Sequence, residues 1–405
     1  MFDTGNTGFM LVATSLVMLM TPGLAFFYGG LVGRKNVLTI MIQSFVSMGV
    51  TTIIWWAYGY SLCFSGGVGG IIGNLDKAFM IGVTLNTPSP FGSGNIPEFV
   101  FMAYQMMFAI ITPALITGAF SNRIRFGAYL MFLVAWLTLV YFPFVHMVWG
   151  NGLLAKKGVL DFAGGIVVHN IAGMAALASV LYVGRRRIGD TTPHSIPLVA
   201  LGTGLLWFGW YGFNAGSELR VDAVTGLAFL NTDIAASFAG PVWMLLAWIY
   251  EKKPKFLGLL TGAVAGLATI TPCAGYVTPT SAVIIGILAG IVCYFAVNLK
   301  NHFRWDDALD VWGVHGVGGM LGIIMLGLMA SKTVNAAGAN GLFHGNASFF
   351  VTQLLAVIAS SIYAFGFTYL MLLVISKFTQ VKTTEGEEEK GLDQSLHGET
   401  AYEGV

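Results

Sequence analysis

The sequence predicts an all-α integral membrane protein of eleven transmembrane helices, with the N-terminus outside and the C-terminus inside. Three observations carry that prediction. Of the 405 residues, 56% are hydrophobic and only 10% are charged, whereas soluble domains carry about 25% charged residues. The apolar residues gather into eleven long runs. The cationic residues between those runs concentrate in alternate connections.

A hydrocarbon core about 30 Å thick takes about 20 apolar residues as a helix. Runs of this kind cover 8–32, 38–64, 98–120, 127–149, 163–183, 196–217, 223–250, 256–274, 280–299, 312–330 and 347–377. The first begins without a basic stretch ahead of it, so it reads as a true span and not as a cleaved leader. The 53 glycines suit helices packed closely in lipid. An odd number of spans puts the termini on opposite sides.

Orientation follows from Lys and Arg in the loops. One set of connections holds Arg34, Lys35, Arg123, Arg125, Arg185 to Arg187, Lys252, Lys253, Lys255, Lys300 and Arg304, joined by Lys377, Lys382 and Lys390 beyond the last span. That is fifteen of the 20 cations; the opposite side has Lys77, Lys156, Lys157, Arg220 and Lys332. The richer side is the cytoplasmic one. The chain then divides into a membrane domain, 1–378, and a cytoplasmic tail, 379–405. The tail carries Glu385, Glu387, Glu388 and Glu389 and is expected to be solvated and poorly ordered.

An internal repeat is visible in the fifth and tenth spans. The fifth reads Val168-His169-Asn170-Ile171-Ala172-Gly173-Met174 and the tenth Val314-His315-Gly316-Val317-Gly318-Gly319-Met320. Two halves of five helices, followed by a final helix, would lie in the membrane with opposite topology. Inverted repeats place a pathway at their interface.

His169 and His315 are the most informative residues, because an ionisable group inside a span marks function by default. Each could instead simply hydrogen-bond a neighbouring helix. One His per helix, without nearby Cys or carboxylates, makes no metal or haem site, and no cofactor is expected. The alternative is a polar strip in an apolar pore that accepts and passes protons. His194, His302, His344 and His397 are expected to be solvated, and His146 to pack against a neighbour. Asp161 opens the fifth span, where a carboxylate can cap the helix or supply a negative charge beneath a cation site. Asp310 stands in the repeat-related place and is expected to cap the tenth span. Asp233, a third of the way into the seventh span, suggests a buried hydrogen bond or a subunit contact. Cys63, Cys273 and Cys293 are widely separated and read as small buried hydrophobes. The net charge of +1 excludes a general nucleic-acid surface, and no nucleophile–base pair suggests an enzyme.

Four stretches resemble the ammonium transporter family (Amt/Mep/Rh), and its Amt branch in particular. They are Asp161-Phe162-Ala163-Gly164-Gly165-Ile166-Val167-Val168-His169, Gly209-Trp210-Tyr211-Gly212-Phe213-Asn214-Ala215-Gly216-Ser217, Asp310-Val311-Trp312-Gly313-Val314-His315-Gly316 and Gly391-Leu392-Asp393-Gln394-Ser395-Leu396-His397-Gly398-Glu399. The resemblance implies an outer ammonium recruitment site of Trp149, Phe108 and Ser217, with Tyr104 beside it where some relatives have Phe. It implies a stacked gate of Phe108 and Phe213, a pore centre of His169 and His315, a nearby carboxylate in Asp161, and Trp210 lining the vestibule and pore. It also implies a homotrimer with one pore per subunit, and a cytoplasmic PII signal protein acting at the tail. Trp312 is one aromatic variant among several at its position, and Asp233 occupies a place expected to be uncharged.

Physics constrains the mechanism independently. A bare cation in apolar surroundings costs on the order of tens of kcal/mol, and a cation–π contact returns about 0.5–2 kcal/mol. Aromatics can therefore recruit ammonium but cannot carry it through a greasy pore. Deprotonation removes the penalty: neutral ammonia crosses while the His pair passes the proton separately, making transport electrogenic. A sensor without much flux and a passive channel for ammonia or carbon dioxide are the competing expectations.

Overall fold

The computed structural model describes residues 1–188 and 192–402. Among these, ten helices are long and apolar enough to cross a membrane, and Phe256–Ile270 is a shorter apolar eleventh. In chain order they are α1 (Thr4–Leu31), α2 (Arg34–Phe64), α3 (Glu98–Ile116), α4 (Phe126–Lys156), α5 (Gly165–Val183), α6 (Ile196–Glu218), α7 (Ala223–Glu251), α8 (Phe256–Ile270), α9 (Pro279–His302), α10 (Trp312–Met329) and α11 (Ala347–Ile375). Every apolar run of the sequence holds one of these helices. No sheet forms among the described residues, where pairing is limited to isolated bridges.

Local chemistry sets the helix ends. Asp3 accepts the Asn6 N–H at 2.7 Å and starts α1 earlier than its apolar run suggests. Asp222 and Thr225 form a reciprocal capping box at the start of α7. Thr278 and Asn346 cap α9 and α11 by accepting the Ser281 and Phe349 N–H groups. The 256–274 run is longer than its helix because the chain turns after Ile270, where the Cys273 N–H donates to the Ile270 carbonyl.

The helices bury most of their polar residues together with large aromatics such as Trp55, Trp136 and Trp210, and turn a second set of large apolar residues outward. Leu11, Trp56, Phe208, Trp248 and Ile362 are all exposed, as a lipid-facing surface requires. Helices α1 and α6 lie along one another, as do α5 and α10. Glycine permits both approaches. A Cβ on Gly202 would lie 2.3 Å from the Phe27 amide nitrogen, and one on Gly173 would lie 2.1 Å from the Gly316 Cα.

The tail departs from expectation. Residues Glu385–Lys390 form a short helix, α12, and Asp393–His397 a turn of π-helix. Asp393 is buried and accepts the Leu38 and Thr39 N–H groups at 3.0 and 2.7 Å, capping α2. Asn36 accepts the Leu392 N–H at 2.9 Å, and Arg125 pairs with Glu387 at 2.5 Å. The cause is charge: the acidic helix lies against the basic loops. Two histidines expected to be solvated are drawn in with it. His194 bridges the Val32 carbonyl and the Tyr402 hydroxyl, and His397 packs edge-on against Phe126.

Candidate functional site

Three spaces open within the helix bundle, the second and third sharing Phe27, Val264 and His315 in their walls. The first, of about 250 Å³, is lined by Phe64, Phe101, Trp149, Phe162, Ser217 and others. The second is a narrow central chamber of about 10 Å³, which includes Phe213, Trp210, His169 and His315 in its wall and suits about one small occupant. The third, of about 420 Å³, opens among the basic loops and is lined by Lys255, Asn301, Asp310 and His315 among others.

Phe213, in the wall of the second space, faces Phe108 with ring centroids 4.2 Å apart and planes tilted by 31°, and both rings are buried. Trp149 stands edge-on to Phe108 at 5.7 Å, and its Nε1–H donates to the Asp161 carbonyl at 2.9 Å. Ser217 donates to the Phe213 carbonyl at 2.9 Å. The structure thus brings Trp149, Ser217, Phe108 and Phe213 together. Tyr104 lies behind this wall. It is fully buried, and its hydroxyl sits 2.9 Å from the carbonyls of both Gly212 and Phe213 and 3.2 Å from Ser217. Its hydroxyl is committed to the backbone of α6, so Tyr104 positions the wall and offers no surface to a solute.

Below the gate, four rings form a column. His169 stacks on Trp210 at 5.5 Å and on His315 at 5.2 Å, with Phe213 at 6.1 Å. The two histidines meet Nδ1 to Nδ1 at 3.2 Å, one ring donating and the other accepting. His169 Nε2 is buried without a hydrogen-bond partner. Trp210 lines this chamber and not the outer vestibule, held there by its Nε1–H to Thr271 Oγ1 at 2.9 Å.

Each histidine sits on a turn of π-helix, Gly165–Asn170 and Trp312–Gly316. Such turns insert a residue into the helical repeat and re-aim side chains. The Gly173–Gly316 approach then brings α5 and α10 close enough for the rings to touch. Asn170 fixes α5 from behind, donating to Ser361 at 3.0 Å and accepting from Ser360 at 2.8 Å. Gln353 holds the loop before α5 through the Leu160 N–H and carbonyl, at 3.0 and 2.7 Å. Sequence reasoning missed Asn170, Gln353, Ser360 and Thr271; their signal was polarity inside apolar runs.

Asp161 accepts four successive N–H groups, from Gly164, Gly165, Ile166 and Val167, at 2.6–3.1 Å. It is a helix cap whose own carbonyl accepts the Trp149 Nε1–H. Asp310 does not cap α10. Asp307 takes that place, accepting the Trp312 N–H at 2.7 Å, while Asp310 adopts a left-handed φ of 60° and pairs with Lys300 at 2.6 Å. Asp233 lies outside the site, accepting from Trp207 Nε1 at 3.2 Å and the Tyr211 hydroxyl at 2.6 Å.

Residues 8–402 match the family model described as Ammonium Transporter Family. The chain belongs to the ammonium transporter family. An ammonium transporter of Bacillus subtilis is 47% identical over 401 residues, covering 98% of each chain. Ammonium transporter Amt1 of Archaeoglobus fulgidus is 44% identical over 401 residues, covering 98% of this chain and 99% of that one. The crystal structure of Candida albicans Mep2 superposes with a TM-score of 0.89 at 37% identity, covering 95% of this chain and 88% of that one. A structure named Sensor Amt Protein superposes with a TM-score of 0.89 at 31% identity, covering 96% and 98%. This member of the ammonium transporter family is a multi-pass membrane protein, and its Bacillus subtilis and Archaeoglobus fulgidus relatives are named as transporters, not as enzymes.

Proposed function

We propose that the chain transports ammonium electrogenically, by separating it into ammonia and a proton at the outer site. The observation that carries this reading is the His169–His315 contact, Nδ1 to Nδ1 at 3.2 Å, between a closed aromatic gate and a wide inner cavity. Trp149, Phe108 and Ser217 recruit the cation, helped by the negative charge of Asp161. Cation–π attraction of about 0.5–2 kcal/mol holds ammonium there but cannot offset burying the charge. Ammonium leaves its proton at the gate, and ammonia passes between Phe108 and Phe213 into the chamber.

The proton takes the histidines. With one proton on each ring, the ring that donates its Nδ1–H has a bare Nε2, and its partner has an Nε2–H. A proton arriving at a bare His169 Nε2 moves the Nδ1 proton across to His315, which releases its own from Nε2. The unpartnered His169 Nε2 supports this direction. K⁺ has no proton to surrender and meets the full desolvation penalty.

The test is current from the purified protein in an artificial bilayer. Ammonium should evoke current and K⁺ none; equal currents overturn the reading. His169→Ala should abolish the proton-coupled current in a protein that still folds, and unchanged current removes the relay. Ammonium binding without current would favour the sensor reading, towards which the Sensor Amt neighbour points.

The wider arrangement we infer is two inverted five-helix halves plus α11, the N-terminus outside and the C-terminus inside. The pairing of α1 with α6 and of α5 with α10 supports this. Residues 1–378 form the transport domain and 379–405 a regulatory tail. A homotrimer, and a PII protein at the cytoplasmic face, complete the proposal.

A further inference from the structure

We infer that Asp310 is the acceptor through which the relayed proton leaves the His pair for the cytoplasm. This rests on the proton relay proposed above and extends it past His315. His169 lines only the narrow chamber, whereas His315 lines both that chamber and the wide inner cavity. Asp310 lines the same inner cavity, which has room for a chain of waters. A proton released from His315 therefore meets a carboxylate in the wall of the same cavity.

The local architecture explains how a carboxylate comes to face that cavity. A helix start satisfies its free N–H groups with a nearby acid. At α5, Asp161 is consumed by that task, with four N–H groups on its two oxygens. At α10, Asp307 does the capping from three residues further back. Asp310 is released from it, and its left-handed backbone turns the side chain out of the cap. The carboxylate is a third exposed, with one hydrogen-bond partner, the Lys300 ammonium on Oδ1.

The charged groups around it are Lys300 of α9, Lys255 ahead of α8, Asp306 and Asp307 on its own loop, and His315. Tyr28 of α1 also borders the cavity. Lys300 is further held by the Asp307 carbonyl at 2.9 Å, so the cation that pairs with Asp310 is fixed in place. In the transfer, the His315 N–H bond breaks and a cavity water gains that proton. The water passes another of its protons to a carboxylate oxygen, forming an O–H bond. Asp310 then gives it to bulk water, or to ammonia entering the cavity, which leaves as ammonium.

The experiment compares Asp310→Asn and Asp310→Glu in proteoliposomes, reading ammonium-evoked current and its dependence on internal pH. Asparagine tolerates a left-handed φ and still accepts from Lys300, but takes up no proton; glutamate keeps the acid and suits that backbone poorly. A purely structural role therefore ranks Asn above Glu, and a proton outlet ranks Glu above Asn. The expected result is a loss of about tenfold or more in Asp310→Asn, an internal-pH profile shifted from that of the unaltered chain, and recovery of at least about half the current in Asp310→Glu. Full current in Asp310→Asn beside a silent His169→Ala overturns the outlet and leaves the relay standing. Asn equal to or above Glu also overturns it. No current from the unaltered chain overturns the electrogenic reading, and the outlet with it.

Discussion

Two aspartates at corresponding helix starts do different work, and the difference comes from a few ångströms of backbone. Asp161 satisfies four buried N–H groups. Leaving buried donors unpaired costs about 1–3 kcal/mol each. Asp161→Ala should therefore lower stability by about 3 kcal/mol or more, and Asp161→Asn, which keeps one carbonyl acceptor, by distinctly less; thermal unfolding in detergent measures both. The cap at Asp161 was legible from its position before an apolar run. The absence of one at Asp310 was not, because Asp306, Asp307 and Asp310 all precede the tenth run and only the backbone decides which oxygen reaches the N–H groups. Tyr104 was misread for a similar reason: type and neighbourhood suggest a solute contact, but the direction of a hydroxyl is a tertiary property.

Helix crossings decide whether the site exists at all. The His pair depends on α5 and α10 meeting backbone to backbone at Gly173 and Gly316. Gly173→Ala would put a methyl into the opposing Cα and force the helices apart. Overpacking of this kind costs about 1–3 kcal/mol, and here it also separates the rings. The expected outcome is a folded protein whose ammonium current falls with that of His169→Ala; current at the level of the unaltered chain would show that the contact tolerates the shift. The spans and both histidines were legible because lipid demands long apolar runs and makes polar intruders conspicuous. The π-turns beneath each histidine were not, since no residue type codes for them. Docking of α12 was also hidden, because its charge looks solvated until the basic loops fold alongside it. Burial pushes the Glu387 carboxyl up, but the Thr384 N–H and hydroxyl and the Arg125 guanidinium together outweigh it and hold the carboxyl below the usual glutamate range. A depressed pKa contributes to docking above the ordinary glutamate value, and that contribution is lost as pH falls through the depressed one. Hydrogen exchange should find residues 385–397 protected at neutral pH and released only in stronger acid, and Arg125→Gln should loosen them already at neutral pH. The effect will be small, since a single partly exposed ion pair contributes little.

At the scale of the whole molecule, fifteen cations on one side against five on the other set an orientation that can be checked directly. A reporter joined after residue 402 should read as cytoplasmic, and one placed ahead of residue 1 as external; the reverse would overturn the orientation. The cap that Asp393 places on α2 has a further consequence, one of timing. A ribosome releases α2 among the first segments and Asp393 among the last, so the start of the second helix waits through the synthesis of nearly the whole protein for its final two hydrogen bonds. Completion is thereby written into the fold: a chain cut short of residue 393 leaves the Leu38 and Thr39 N–H groups open, and that open end distinguishes an unfinished copy from a finished one.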